Sequence, residues 1–93
     1  MANTYTGTIA KNGTTIASDA TVIITKIENK RIAIRSTYFD VYEVNVGKKR
    51  YFNSKTYYST DEDEYLEVHK DGRLFVGHTD ADGNSFQFDG LSH

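Results

Sequence analysis

Few side chains in this sequence stand in a pattern that can do chemistry, and the most suggestive pair is His78 with Glu64. In the hairpin register derived below, the two face each other at its far end, both on the inward side. A carboxylate beside an imidazole can act as a general base or as two ligands of a metal. A hydrogen-bonded pair at a barrel rim uses the same two groups. The plainer reading is preferred, because the sequence places no third ligand and no nucleophile nearby. His69 falls on the outer side of the same hairpin and His93 is terminal, so neither takes a role.

Asp80, Asp82 and Asn84 spell D-x-D-G-N, which resembles the front of a calcium loop. An EF-hand loop needs Gly at its sixth position and Glu at its twelfth. Counted from Asp80, those positions hold Ser85 and Leu91. A plain hairpin turn is the better reading, and no metal site is expected. Gly47 to Phe52, with Lys55, Tyr57 and Tyr58, interleaves cations and aromatics. Such a strip can stack bases and neutralise phosphates. It can equally be an edge strand guarded by lysines, or a protein interface, since interfaces favour Tyr and Arg. The acidic run Asp61 to Glu64 follows closely and would repel a phosphate backbone. No nucleic-acid partner is expected. No Ser/His/Asp order, phosphate-cradling Gly loop or pair of acids at a defined spacing appears, so an enzyme is not expected.

The elements that must position these groups are strands. The stretch Tyr65 to Gly77 reads as one β-hairpin around Lys70-Asp71-Gly72. A three-residue loop, with Gly72 in a left-handed bulge, sets Val68 opposite Leu74 and Leu66 opposite Val76. All four aliphatics then share one face. A two-residue Asp71-Gly72 turn slips the register by one and splits them between faces. Burial therefore selects the longer loop.

Helical periodicity is nearly absent along the chain. Thr, Ile, Val and Tyr are plentiful, as strands require, and turn signals recur at short intervals. Tyr5, Gly7 and Ile9 alternate against threonines, and Asn12-Gly13 is a hairpin turn followed by a short segment, Thr14 to Ala17. Ala20 to Ile27 is a strand with apolar residues on both sides at Val22-Ile23-Ile24. Arg31 to Tyr38 and Tyr38 to Val46 follow, the second with Tyr42, Val44 and Val46 on one face. Gly47-Lys48-Lys49 is expected to turn the chain. Tyr51 to Ser59 is expected to be an edge or curved strand, and Phe86 and Phe88 share a face of the last one. The fold class is all-β: about eight short antiparallel strands in a meander that closes into a barrel or a strongly curled sheet.

The 93 residues make one domain, near the small end of what one core can stabilise. There are no cysteines, which removes disulfides and thiolate chemistry together. A net charge of −2, with both signs spread along the chain, points to neither a general nucleic-acid binder nor a membrane binder. No apolar run approaches the roughly 20 residues of a spanning helix. If Met1-Ala2 opens the native chain, the expected location is the cytoplasm; if a leader preceded it, the bacterial cell envelope or the exterior.

Tyr5-Thr6-Gly7-Thr8-Ile9 and Ala20 to Ile27 near the start, with Leu66 to Phe75 and Gly83 to Gly90 near the end, together resemble the small lipocalin-like, or calycin-like, β-barrel domains of bacteria. Those domains commonly open with a Tyr/Gly strand and close with a dG-L-x-F hairpin and an F-x-G strand. The chain has no Trp and so lacks the Gly-x-Trp opening of lipocalins. The resemblance implies the barrel and carries over no binding residue. The expected function is non-enzymatic binding of a small hydrophobic ligand in a modest apolar pocket or groove, with Tyr42, Tyr57, Glu64 and His78 as candidate lining and no cofactor. The alternative is a protein-interaction or inhibitor module that uses a tyrosine-rich strand face. A homodimer is expected, because an outward Ile23 needs cover. Ile23, Tyr51 and Tyr58 are its candidate interface residues.

Overall fold

The structure, a computed structural model, describes residues 2–28, 30–51, 54–59, 64–69 and 71–92, with the side chains of 2, 27, 28, 48–51 and 54–59 left outside the description. Its strands are β1 (Ala2–Lys11), β2 (Thr14–Glu28), β3 (Arg31–Ser36), β4 (Phe39–Tyr51), β5 (Ser54–Ser59), β6 (Tyr65–His69), β7 (Arg73–Thr79) and β8 (Ser85–Ser92). Each pairs antiparallel with the next, and β8 returns to pair with β1 from Lys11↔Phe86 to Tyr5↔Ser92. The meander is therefore a closed barrel, and closure leaves no free sheet edge.

The period-2 pattern sorts the side chains. Tyr5, Ile9, Val22, Ile24, Ile34, Val44, Leu66, Leu74, Val76, Phe86 and Phe88 point inward and are buried. They form one core cluster, with Val68, Tyr42 and Phe39 packed against it. An eight-stranded barrel is about wide enough for side chains to fill. The hairpin register is the one burial demands: Leu66 pairs Val76 and Val68 pairs Leu74. Gly72 has φ +99° and donates its N–H to the His69 carbonyl at 3.1 Å. At the first hairpin both turn residues have positive φ, Asn12 at 51° and Gly13 at 86°, as a type I′ turn requires.

Three expectations about the strands are corrected. Thr14 to Ala17 and Ala20 to Ile27 are parts of one 15-residue strand. Its pairing with β1 shifts register between Gly7 and Ile9, and again between Ile9 and Ala10. Each shift places one extra residue in β2, so the in–out alternation breaks locally while the strand continues. Gly47-Lys48-Lys49 is not a turn. β4 runs through it to Tyr51, pairing Val46 with Ser59 and Tyr51 with Ser54. A single Gly without a second turn-forming residue bends a strand more readily than it reverses one. The joining residues 52–53 lie outside the description. Finally, β5 is not an edge, because it pairs with β4 on one side and β6 on the other.

At the seam between β1 and β8 the two backbones approach closely. Gly7 lies directly opposite Gly90. A Cβ on Gly7 would stand 2.0 Å from the Asp89 carbonyl oxygen, and one on Gly90 would stand 2.4 Å from Cζ of Phe88. The first obstacle is backbone and cannot rotate away. Gly7→Ala is expected to destabilise the fold by about 3 kcal/mol or more, measured by urea denaturation. Thr8→Ala, next to it but exposed on the outer wall, should change stability by about 0.5 kcal/mol or less. Equal effects at the two positions would disprove the close-packed seam.

Candidate functional site

One end of the barrel carries the β1–β2, β3–β4 and β7–β8 connections and the start of β6. There the hairpin register sets Glu64 beside His78, and His78 Nδ1 lies 3.0 and 3.1 Å from the two carboxylate oxygens. Both side chains are largely buried, at 11% and 19% exposed. The third member comes from across the barrel. Tyr42 on β4 stacks on His78 of β7, ring centroids 3.7 Å apart and nearly parallel at 7°. Phe39 tilts against Tyr42, His78 and Phe86, and the Lys11 ammonium sits 5.6 Å from the Phe86 ring centre. Tyr42, Glu64 and His78, read from the sequence as one lining, are thus brought together. The Tyr42 hydroxyl is buried with no hydrogen-bond partner among the described residues. Burial, and secondarily the Glu64 charge, push its pKa far up, so the group is a neutral phenol.

The other candidates separate. Tyr57 pairs Val68 through its backbone, Tyr58 pairs Gly47 and Glu67, and Tyr51 pairs Ser54. Their side chains, and the cations of 48–50 and 55, lie outside the description. Ile23 pairs with Thr4 and Arg35 on the outer wall and is half-buried there. His93 and the acidic residues 61–63 lie outside the described residues.

The calcium-like segment is a hairpin turn. Asp80 Oδ1 accepts the N–H of Asp82 at 3.0 Å and of Asn84 at 2.8 Å. Asn12 Oδ1 accepts the N–H of Ser85 at 2.8 Å, tying this turn to the first hairpin. No group of three His, Cys, Asp or Glu side chains is placed to hold a metal among the described residues.

The sequence reading missed the outer wall. On β6, β7, β8 and β1 the outward side chains align as Tyr65–Gly77–Gln87–Ala10 and, beside it, Glu67–Phe75–Asp89–Thr8. Gly77 leaves a dip in the wall. A Cβ placed on it would touch Tyr65 Cβ at 3.0 Å, so Tyr65 leans over the glycine. The resulting groove of about 490 Å³ is lined by Tyr65, Phe75, Gly77, Gln87, Asp89 and Thr8, among others. A second depression of about 460 Å³, which includes Arg73 and Leu91, shares Asp89 with it. The aromatic walls are held in place. The Tyr65 hydroxyl donates to Glu67, His69 meets the Phe75 ring edge-on at 5.7 Å, and the Arg73 guanidinium lies 5.1 Å from the same ring centre. The curled sheet therefore presents an exposed aromatic and apolar face able to serve as a binding surface. One signal was legible: an isolated Gly inside a strand, opposite a Tyr, marks a place where another group can approach the backbone.

No protein-family model matches the chain, and neither does any curated protein or solved structure.

Two predictions follow from these geometries. Tyr42→Phe removes the unpartnered hydroxyl and keeps the ring on His78. Its stability should equal the parent's or exceed it by up to about 3 kcal/mol, and a clear loss of stability in urea denaturation would show that the hydroxyl has a partner. At the turn, the Asn84 N–H first, then the Asp82 N–H and the Asn84 side chain, hold the Asp80 carboxyl below its ordinary pKa. A carboxyl lowered on folding stabilises the fold above its unfolded value, near pH 4, and that stabilisation is lost as pH falls through the folded value. Asp80→Ala should therefore lower Tm at neutral pH, and the gap from the parent should shrink below about pH 4. A gap independent of pH would refute the ionised cap.

Proposed function

We propose that the protein is a non-enzymatic binding module on a lipocalin-like barrel, and that its ligand is small and has an apolar face. The observation that carries this reading is the groove over Gly77, walled by Tyr65 and Phe75. Binding sites join apolar and aromatic walls to a few placed polar groups. Here Gln87, Asp89 and Thr8 supply the polar side. Lipocalin-like domains take ligands into the lumen. In this chain the lumen holds the core side chains, which favours the outer wall as the binding surface. Tyr42, Glu64 and His78 then serve as a plug for the barrel end.

A second reading, a protein-interaction module, is favoured by the large apolar side chains left in water, chiefly Val41 at 62% and Leu91 at 59% exposed. A homodimer is its simplest form, and sedimentation equilibrium tests it.

The ligand reading is tested with Nile red, a neutral apolar dye. Saturable binding should shift the amide resonances of Phe75, Gly77 and Gln87. Tyr65→Ala should weaken it about tenfold, equivalent to roughly 1.4 kcal/mol. Dye binding that ignores Tyr65→Ala, or no binding at all, would overturn the groove as the site.

A further inference from the structure

We propose that the first half of β2 is the surface through which two copies of this chain pair, strand to strand about a two-fold axis near Ile16; the inference rests on the protein-interaction reading above and names its interface. Closure gives every strand two neighbours, but β2 outruns one of them. β2 has 15 residues, and β1 runs beside it from Ala2↔Thr25 to Lys11↔Thr14. β3 pairs with it only from Glu28↔Arg31 to Val22↔Ser36. There the Ser36 hydroxyl donates to the Thr21 carbonyl at 2.9 Å, a side chain taking the acceptor that the β3 backbone no longer reaches. From Thr14 to Ala20 the side of β2 away from β1 pairs with no other backbone among the described residues. The side chains agree, since Thr14, Thr15, Ile16, Ser18 and Asp19 are all exposed.

An unpaired row of backbone N–H and C=O groups is a template for another strand. Native proteins guard such rows with Lys or Pro, and Thr14 to Asp19 holds neither. Its guard is of another kind. The two register shifts against β1 both fall within this stretch, and each gives β2 an extra residue. Bulges bend and twist a strand, which hinders the flat, open-ended stacking of many copies. A two-fold pair is different, because each copy uses the same side and none is left to extend.

The choice of a second copy over a foreign strand follows from the order of the residues. From Thr14 to Asp19 the stretch reads Thr-Thr-Ile-Ala-Ser-Asp. Antiparallel pairing about its middle brings Ile16 and Ala17 against their own copies. It brings the two threonines against Ser18 and Asp19 of the second copy. The centre is then apolar, and it covers Ile16, which is 44% exposed in the single chain. The ends match a hydroxyl donor with a carboxylate or hydroxyl acceptor, a favourable cross-strand combination. Asp19 carries the one charge of the stretch and lies at its end, far from its own copy, so no like charges stand opposed.

Sedimentation equilibrium and an amide-resonance dilution series, both on the full chain, test this. The expected result is a dimer at micromolar concentration whose concentration-dependent shifts centre on Thr15 to Asp19. Two variants probe the axis. Ile16→Lys and Ile16→Glu each set like charges beside one another, so each should weaken the dimer at least about tenfold. An equimolar mixture of the two sets opposite charges there and should restore a one-to-one dimer. Ile16 is exposed, so both variants should keep the parent's amide dispersion, and the dilution series on the parent needs neither. A dimer that ignores both variants, or shifts centred on other strands, would overturn this interface and leave the homodimer reading standing. Weakening with no rescue on mixing would overturn the two-fold axis. A chain that stays monomeric up to its solubility limit would overturn the interface and the homodimer reading together. If that monomer instead takes a synthetic hexapeptide of alternating Thr and Val on the same amides, the open side receives a foreign strand and not a second copy.

Discussion

Closure across β1 and β8 is the constraint on which the rest of the molecule depends. Without that seam the strands form an open sheet with two unpaired edges. With it, every strand has two neighbours and one wall of side chains faces inward. The Gly7–Gly90 pair lets the two backbones meet, because a side chain on either would collide with the opposite strand or with Phe88. The ring of Phe88 lies against Gly90 on the lumen side and fills the volume that two absent side chains leave. A tight wall on one side and a large aromatic on the other are a single packing solution.

The barrel end shows how a filled interior treats polar groups. Glu64 and His78 answer each other, so their burial leaves neither isolated. Tyr42 covers the imidazole face with a stacked ring and leaves its own hydroxyl without a partner among the described residues. A buried hydroxyl in that state costs on the order of 1–3 kcal/mol. The apolar area of the ring and its contacts with Phe39 and His78 offset that cost.

The outer wall follows a different logic. Among the described residues many of its side chains are short or charged, as a solvated face should be. One departure surrounds Gly77, where a missing side chain opens the wall and Tyr65 closes over part of the gap. Arg73 and His69 pack on the Phe75 ring and Glu67 accepts from the Tyr65 hydroxyl, which restricts the rotamers open to both rings. Bracing of that kind reduces the side-chain entropy lost on binding.

Much of this was legible in the residues themselves, because strand period and turn chemistry are local. Alternation placed Ile32 and Ile34, Val44 and Val46, Phe86 and Phe88 on the inner side. Asn12-Gly13 and Gly72 set their hairpins, since few other residues accept the required φ. The hairpin register alone brought Glu64 to His78. What the sequence does not carry is stagger and curvature, which depend on how all eight strands share one circumference. Two bulges in β2 and the passage of β4 through Gly47 are small departures from the local rule, and only the closed ring requires them. For the same reason Tyr42 meets His78 across strands that are not neighbours, and Tyr65, Gly77, Gln87 and Asp89 become one surface. Those contacts exist because the sheet closes, and no spacing along the chain encodes them.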